Sequence, residues 1–249
     1  MPWRDTPSPY YVLVSELMLQ QTQVSRVVPK FLAFIDAFPD EKHLAAAPLA
    51  QVLVLWSGLG YNRRAKFLHM AAQKIVERGS FPGTLSELVA LPGVGKNTAG
   101  AILNYAFEIP TVFIETNIRS VYLHHFFADA GIVDDAQLSE LVESTLDKEH
   151  PREWFWALMD YGSYLKSQSM GETAQSKYYK KQSKLQGSMR ETRGKILKLL
   201  AVEPYAVDVL ERSVDHADRF ASALSALERE GLIEIHDSIC RLTGHLQAS

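Results

Sequence analysis

Apolar residues recur at helical spacing from Tyr10 to about Leu200, and alternation of the kind seen in strands is nearly absent there. Prolines and glycines divide this pattern into short segments. The pattern therefore predicts an all-α fold for this part of the chain. The predicted helices are 9–21, 24–38, 42–47, 48–57, 61–78, 84–90, 96–107, 116–128, 135–147, 151–165 and 171–184, with breaks at Pro29, Pro39, Pro48, Pro82, Pro92, Pro110 and Pro151.

The pattern changes after Gly187. Helices are predicted near 188–201, 205–213 and 216–230. Two strand-like runs follow, Leu232–His236 and Ile239–Leu242, on either side of Asp237-Ser238. Three helices and a short hairpin predict a small winged-helix-like (α+β) domain over 187–249, a shape that serves DNA and protein partners alike.

Composition permits one large core or two modest ones, since 47% of the 249 residues are hydrophobic. The net charge of −3 means that any contact with nucleic acid must come from a local patch. Residues 177–198 supply such a patch, with eight Lys or Arg against one acid, and Lys180, Lys181 and Lys184 are candidate phosphate contacts. A solvated basic helix that joins two domains is an equal alternative.

The single cysteine, Cys240, excludes a disulfide framework and a multi-cysteine metal cluster, and it fits a reducing, cytoplasmic compartment. No apolar run approaches the length that spans a bilayer, and the apolar run YYVLV near the start is broken by Ser15-Glu16. We therefore expect no signal peptide and no membrane partner. Nothing in the chain requires more than a monomer.

The stretch LPGVGKNTAGAI stops one helix at Leu91-Pro92 and starts the next at Lys96. Glycines on either side of Val94 would allow positive φ in a tight turn. The new helix would direct its unpaired N–H groups and the positive end of its dipole at this turn, which favours an anion. Taken alone, an ordinary corner between two helices remains the better interpretation.

Two carboxylates are candidate catalytic groups. Glu16 lies among apolar residues on a predicted helix, where desolvation would raise its pKa and let it donate a proton near neutral pH. Glu115 precedes Thr116-Asn117 at the start of another helix, which Thr116 or Asn117 would cap. Taken singly, a polar stripe on an amphipathic helix and a carboxylate that complements the helix dipole are the better interpretations.

Five blocks together carry a resemblance: PWRDTPSPYYVLVSELMLQQTQV, LWSGLGYNRRAKFLHMAA, LPGVGKNTAGAI, FIETNIRSV and ALMDYG. Their order and spacing resemble the helix-hairpin-helix (HhH-GPD) DNA glycosylases, most closely the adenine glycosylase (MutY) branch, over about residues 2–165. The resemblance implies a two-lobed fold within a domain of residues 1–186. One lobe would be a six-helix unit over about 22–128, and the second would combine 1–21 with 129–186.

The resemblance also implies chemistry. Glu16 matches the catalytic glutamate that protonates the flipped base, directly or through a water. Glu115 falls where the family has an aspartate, which stabilises the sugar cation, and is one methylene longer. The hairpin Leu91–Gly95 would grip a DNA phosphate beside the target nucleotide, with a monovalent cation at the carbonyls of Leu91 and Val94. No other cofactor is implied.

Asn97 stands where relatives similar to endonuclease III have a nucleophilic lysine. We therefore expect a monofunctional glycosylase with little or no lyase activity, and expect Asn97 to line the base pocket. Lys96 is adjacent but would point about 100° away on the helix. The resemblance places Asn62 in the base pocket as well. It implies that Gln21, Leu19, Leu59 and Tyr61 wedge into the duplex and fill the space left by flipping, although core packing is a serious alternative for Leu19 and Leu59. It implies further DNA contacts at Gly93, Gly95, Lys96, Thr98, Asn117 and Arg119.

The chain departs from the adenine branch in two ways. Segment 160–188 lacks the four cysteines that hold an iron–sulfur cluster, so a cluster is not possible. The last 63 residues are too few and too helical for the domain that checks the opposite strand for 8-oxoguanine. We expect double-stranded DNA with a mispaired or damaged base as the partner, in the nucleoid, with adenine opposite guanine or 8-oxoguanine first.

Other functions stay open at this point. Uracil, 5-hydroxyuracil or thymine opposite guanine is a close second choice of substrate. A non-catalytic DNA lesion-binding protein would not need the buried acid Glu16, which costs stability. A helical protein-interaction domain would bind DNA only weakly and without a steep dependence on salt.

Overall fold

The structure is a computed structural model that describes residues 1–127, 132–170, 185–214 and 217–245. The expected fold class, mostly helical with a small α+β part at the C-terminus, is confirmed. The helices are α1 Pro2–Asp5, α2 Pro9–Leu19, α3 Val24–Ala37, α4 Glu41–Ala46, α5 Leu49–Trp56, α6 Arg63–Arg78, α7 Leu85–Val89, α8 Lys96–Phe107, α9 Thr116–Phe126, α10 Asp135–Thr145, α11 Pro151–Ser167, α12 Met189–Leu200, α13 Val207–Arg212 and α14 Ala217–Arg229. The strands are β1 Tyr205–Ala206, β2 Ile233–His236 and β3 Ile239–Leu242.

The predicted boundaries need four corrections. Helix α1 was missed because its four residues are too few to show a period. The helix predicted over 9–21 ends at Leu19, and the backbone at Gln21 has a positive φ of 56°. Pro29 does not break α3 but lies inside it. The helix predicted over 205–213 begins at Val207 because Tyr205–Ala206 pairs with β3. The helix predicted over 171–184 lies outside the described residues.

Helix α2 is central to the N-terminal part of the fold. It packs against α8, α3 and α6, and its side chains are buried on nearly every face. A helix that is apolar all round is a core helix, which explains why this segment shows little amphipathic pattern. Ser8 caps its first turn by accepting a hydrogen bond from the amide of Tyr11 at 3.2 Å. The core helix thereby carries Glu16 as a polar group among Leu13, Leu17 and their neighbours.

The N-terminal segment contacts helices from both expected lobes. Trp3 packs edge to face on Phe31 of α3, with ring centroids 5.3 Å apart. Arg4 forms two hydrogen bonds to Asp160 of α11, at 2.7 and 2.9 Å. The division into lobes and a 187–249 domain stays a prediction. In the described part of the chain, no helix combines the length and apolar character needed to cross a membrane.

The C-terminal module, residues 187–245, is α12 to α14 with an antiparallel sheet of order β1-β3-β2. In its hairpin, Ile233 pairs with Leu242 and His236 with Ile239. The module docks on the helical part through this sheet: a Cβ built on Gly244 would lie 3.3 Å from the amide nitrogen of Leu49 in α5. It also docks through Lys66 of α6, which donates to the carbonyl of Glu230 at 2.6 Å.

Candidate active site

Two carboxylates, Glu16 and Glu115, lie within electrostatic reach of each other. Helix α2 presents Glu16 from the core, and Glu115 is the extended N-cap residue of α9, with φ −98° and ψ 169°. Both side chains keep partial access to solvent, although the protein around them desolvates both. Because both residues are partly exposed while their carboxyl groups are desolvated, we infer that the pair lies in a recess. The structure thus brings the two catalytic candidates together.

Their surroundings differ in charge. Desolvation raises the pKa of Glu16 well above its ordinary value of 4.5, Glu115 raises it further, and Arg4 opposes them. Desolvation also raises the pKa of Glu115, but Arg119 and Lys166 lower it. Glu16 is therefore the group that keeps its proton, and Glu115 is the one that ionises first. Such a separation assigns one acid and one anion to a carboxylate pair.

Buried aromatic and charged groups surround this pair. Tyr105 lies in the same electrostatic environment, and burial followed by Glu16 and Glu115 raises its pKa. Its ring lies 5.9 Å from that of Trp156, and the guanidinium of Arg4 lies over the Trp156 ring at 5.2 Å. The interactions of Arg4 with Asp160 and Trp156 hold a positive charge near Glu16.

The backbone that leads into Glu115 is fixed from two sides. The amide of Asn97 donates to the carbonyl of Ile114 at 2.8 Å and accepts from its N–H at 3.4 Å. Asn117 donates to the carbonyl of Met159 at 3.0 Å. A Cβ built on Gly162 would lie 2.1 Å from the carbonyl oxygen of Asn117, so α9 and α11 approach too closely for any other residue there.

These contacts correct one expectation and leave others as predictions. Neither Thr116 nor Asn117 caps α9, since Glu115 occupies the N-cap position and makes no side-chain cap bond. Asn97 is exposed and its amide bonds the backbone of Ile114, so its expected place in the base pocket stays a prediction. Arg119 binds Asp135 at 2.6 and 3.2 Å, with 12% of its side chain exposed. Asn117 and Arg119 therefore have partners inside the protein, and their expected DNA contacts stay predictions.

The hairpin before α8 has the expected tight turn, with one correction. Gly93 has a φ of +78°, and its added Cβ would lie 2.8 Å from that of Phe67, so only glycine fits. Gly95 has an ordinary φ of −90° and serves as the N-cap of α8, so the positive φ expected there is wrong. The side chains of Leu91 and Val94 are buried, and the amide of Val94 donates to the carbonyl of Leu91 at 3.2 Å.

The residues at the start of α8 differ in exposure. Lys96 is exposed, as a phosphate contact requires. Thr98 is 6% exposed, and its hydroxyl accepts from the amide of Gln20 at 3.4 Å. The expected DNA contact is therefore not available to the Thr98 side chain, because Gln20 covers it.

Arg64 organises the two loops that carry the expected wedge residues, and sequence reasoning missed it. It donates to the carbonyls of Leu17 and Gln20 at 2.6 Å each, and to that of Gly60 at 3.0 Å. The first two carbonyls lie at the end of α2, where helix carbonyls lack partners. Burial lowers the Arg64 pKa to about 10. In the sequence, Arg64 was marked only as the second of two arginines that follow Asn62.

The two loops hold Gln21 and Tyr61 in unusual backbone conformations, with φ of 56° and 48°. Strain of this kind persists where surrounding structure enforces it, and it is common at functional sites. Leu19 is half-buried. Leu59 is 4% exposed and packs in the core, which agrees with the alternative stated for it.

Replacing Arg64 by methionine is expected to lower the free energy of unfolding by about 2 to 3 kcal/mol, because several buried carbonyls would lose a charged donor. Arg63→Met is the matched control, since Arg63 is exposed. Denaturant unfolding of both variants measures the difference. Equal stability of the two variants would contradict the role given to Arg64.

A cleft of about 1140 Å³ lies between these loops and α12. Gln21, Leu59, Tyr61 and Asn62 line it, whereas Glu16, Glu115 and Asn97 do not. Asn62 thus lines this cleft, and the base pocket expected for Asn62 and Asn97 stays a prediction. Lys180, Lys181 and Lys184 fall outside the described residues.

The sequence of this chain is similar to those of known DNA repair proteins. The family model of the HhH-GPD superfamily base excision DNA repair protein matches residues 14–148. An adenine DNA glycosylase of Buchnera aphidicola subsp. Baizongia pistaciae is 34% identical over 171 residues, which cover 66% of this chain and 48% of the relative. One from Mycolicibacterium smegmatis is 33% identical over 259 residues, covering 94% and 87%. The chain thus spans about half the length of the Buchnera relative but most of the mycobacterial one.

Solved structures share the fold. A thermostable thymine-DNA glycosylase matches with a TM-score of 0.59 and 25% identity, over 66% of this chain and 77% of that one. An endonuclease III trapped as a covalent intermediate with DNA matches with a TM-score of 0.55 and 19% identity, over 63% and 75%. Both matches leave about a third of this chain uncovered.

Proposed function

Because this chain belongs to the HhH-GPD superfamily of base excision DNA repair proteins, we propose that it is a DNA glycosylase that hydrolyses the bond between a base and deoxyribose. The observation that carries this proposal is the recessed pair Glu16 and Glu115, whose surroundings favour a proton on the first and a negative charge on the second. Hydrolysis of an N-glycosidic bond needs both at once.

In the proposed reaction a nucleotide is flipped out of the duplex into the recess. Glu16 gives its proton to the base, directly or through a water, so that the base leaves as a neutral molecule. The sugar that remains carries positive charge, which the carboxylate of Glu115 stabilises. Water then adds at the sugar carbon and gives a proton to the carboxylate pair, which returns Glu16 to its acid form and leaves an abasic site.

Adenine opposite guanine or 8-oxoguanine is the proposed substrate. Its support is that the curated relatives of both lengths are named adenine DNA glycosylases. Thymine or uracil opposite guanine is the second candidate, favoured by the likeness to a thymine-DNA glycosylase structure. The methylene that lengthens Glu115 changes the recess, so the base is a question for experiment.

We propose that lyase activity is weak or absent. An amine at position 97 could attack the sugar, but Asn97 has none and its amide is bonded to Ile114. The neighbouring amine, Lys96, is exposed at the start of α8 and is directed about 100° away from position 97 around the helix. Because no amine is expected to reach the sugar, strand cleavage should need added alkali.

The hairpin is proposed to bind a phosphate of the flipped strand through backbone N–H groups at the start of α8. The turn at Leu91–Gly95 suits a monovalent cation, because carbonyl oxygens are ligands for such an ion and the Leu91 carbonyl has one lone pair beyond its bond to Val94. A bound cation would add positive charge beside the phosphate.

A single-turnover assay tests the function. The substrates are duplexes with adenine opposite guanine or 8-oxoguanine, and with thymine, uracil or 5-hydroxyuracil opposite guanine, each analysed with and without alkali. The proposal expects excision of adenine and strand breaks only after alkali. Excision of thymine or uracil alone would move the assignment to the second candidate, and no excision of any base would refute the glycosylase.

The excision rate is expected to pass through a maximum with pH. It should fall on the alkaline side as Glu16 loses its proton, at a pH well above 4.5 because its pKa is raised. It should fall on the acid side as Glu115 gains one. Single-turnover rates across the range measure both limbs. A rate that rises steadily through neutral pH would contradict the role of Glu16 as an acid.

A further inference from the structure

Charge is distributed unevenly over the C-terminal module. Helix α12 carries four basic residues, Arg190, Arg193, Lys195 and Lys198, against one acid, Glu191. Residues 201–245 carry nine acidic residues against four arginines and no lysine. DNA binding relies on basic side chains that neutralise phosphates. Within the C-terminal module, α12 therefore carries the net positive charge that binding to DNA phosphates requires.

The hairpin and the end of α14 in the C-terminal module are in contact with the N-terminal helices. The hairpin packs on α5, where Gly244 closely approaches Leu49. The end of α14 is bound to α6 through the Lys66 bond to the Glu230 carbonyl. The hairpin and the last helix of the module therefore serve docking, and this docking turns α12 toward the loops that carry Gln21 and Tyr61.

The cleft between α12 and the loops is basic on both walls. In the described parts of the chain, eight Lys or Arg and two Glu line it. Arg193 is paired with Glu230 at 2.5 and 2.9 Å, and Arg64 is buried among carbonyls. Arg26, Arg63 and Lys198 are exposed and form no ion pair within the described ranges, although Arg26 donates to the carbonyl of Gly58 and Arg63 lies within electrostatic reach of Glu230. The cleft therefore has more positive than negative charge on its exposed walls.

The cleft also contacts the expected wedge residue. Arg190 of α12 donates to the hydroxyl of Tyr61 at 2.6 Å, and its guanidinium lies over the ring at 5.4 Å. The hairpin Leu91–Gly95 does not line the cleft. The wedge loops thus adjoin a basic surface distinct from the hairpin that is proposed to hold the flipped strand.

We propose that this cleft binds the phosphodiester backbone of the strand opposite the flipped nucleotide, with α12 as the DNA-binding element of the C-terminal module. The assignment of the strand rests on the proposed function, because it assumes that the hairpin holds the flipped strand. Exposed arginine and lysine side chains on both walls can each neutralise a phosphate without reading sequence.

The test uses three charge reversals in the full chain: Arg26→Glu and Lys198→Glu from opposite walls, and Lys74→Glu as the control. Lys74 is exposed on α6 and does not line the cleft, and its reversal changes the net charge equally. Fluorescence anisotropy with one mismatched duplex at several salt concentrations gives the affinity and its salt slope. Each cleft variant should lower the slope by about one and bind about tenfold more weakly at low salt. Lys74→Glu should match the wild type.

Neutral methylphosphonates placed one at a time along each strand identify the strand. A methylphosphonate at a contacted phosphate of the opposite strand should lower the affinity of the wild type by several fold and leave the affinity of Lys198→Glu unchanged. Equal affinity of Lys198→Glu and Lys74→Glu for DNA would overturn the proposal. It would also be overturned if the methylphosphonates that weaken the wild type but not Lys198→Glu all lay on the flipped strand. Excision by the wild type with no effect of Lys198→Glu refutes this inference alone. Absence of excision with the expected charge effects refutes the glycosylase and leaves the cleft as a DNA site.

Discussion

Glu16→Gln is expected to lower the single-turnover excision rate by about 10² to 10⁴-fold while duplex binding stays within about threefold of the wild type. Glutamine has the shape of glutamic acid but no proton of suitable acidity to give to the leaving base. The desolvated position of Glu16 on α2 makes it the protonated member of the pair, so its loss removes the general acid. Excision and anisotropy measured on the same duplex separate chemistry from binding.

Stability provides the control for this variant. A carboxyl group whose pKa is higher in the folded than in the unfolded protein costs stability as the pH rises from its unfolded-state pKa to its folded-state pKa. Glu16 is in this class, so Glu16→Gln should unfold at an equal or higher temperature than the wild type at neutral pH, and the advantage should shrink in acid. Loss of activity together with loss of stability would show that Glu16 is a structural residue.

Glu115→Gln is expected to lower the excision rate by about 10² to 10³-fold, because the amide cannot supply the negative charge that stabilises the sugar cation. Single-turnover kinetics at saturating enzyme measure this loss without a contribution from binding. An unchanged rate would show that the charge of Glu115 takes no part in the chemistry.

Glu115→Asp is the matched variant, since it keeps the charge and withdraws it by about 1.5 Å, the length of one carbon–carbon bond. The backbone at this position is fixed by Asn97 on one side and by the packing of α9 on Gly162 on the other. The backbone therefore has little freedom to move the shorter side chain back to the position of the Glu115 carboxylate, and we expect the excision rate to fall by about 10 to 100-fold. A rate equal to that of the wild type would show that the recess accepts either length.

Local chemistry in the sequence was enough to locate most of the fold. Prolines and glycines marked the helix ends well, but the residues around Glu16, taken alone, favoured a polar stripe over the desolvated acid that the structure shows. The pairing of Glu16 with Glu115 was accessible only through the family resemblance. Residues 16 and 115 are distant in the chain, and neither segment alone predicts the other.

The contacts that could not be predicted have a common physical cause. Asn97, Asn117 and Arg119 carry polar side chains near helix starts, and residue identity does not show which neighbouring groups of the protein they bond. Arg64 was missed for the same reason, since its partners are carbonyls, which leave no trace in residue identity. Strand β1 was missed because two residues show no alternation.

Arg64 has a consequence for how this chain tolerates sequence change. One guanidinium holds the loop after α2 and the loop before α6. A substitution that shifts either loop must displace the other, so changes in the two loops should show epistasis: their combined effect will differ from the sum of the separate ones. Residues 20–23 and 58–62 are therefore constrained to evolve as one unit, although they are far apart in the chain.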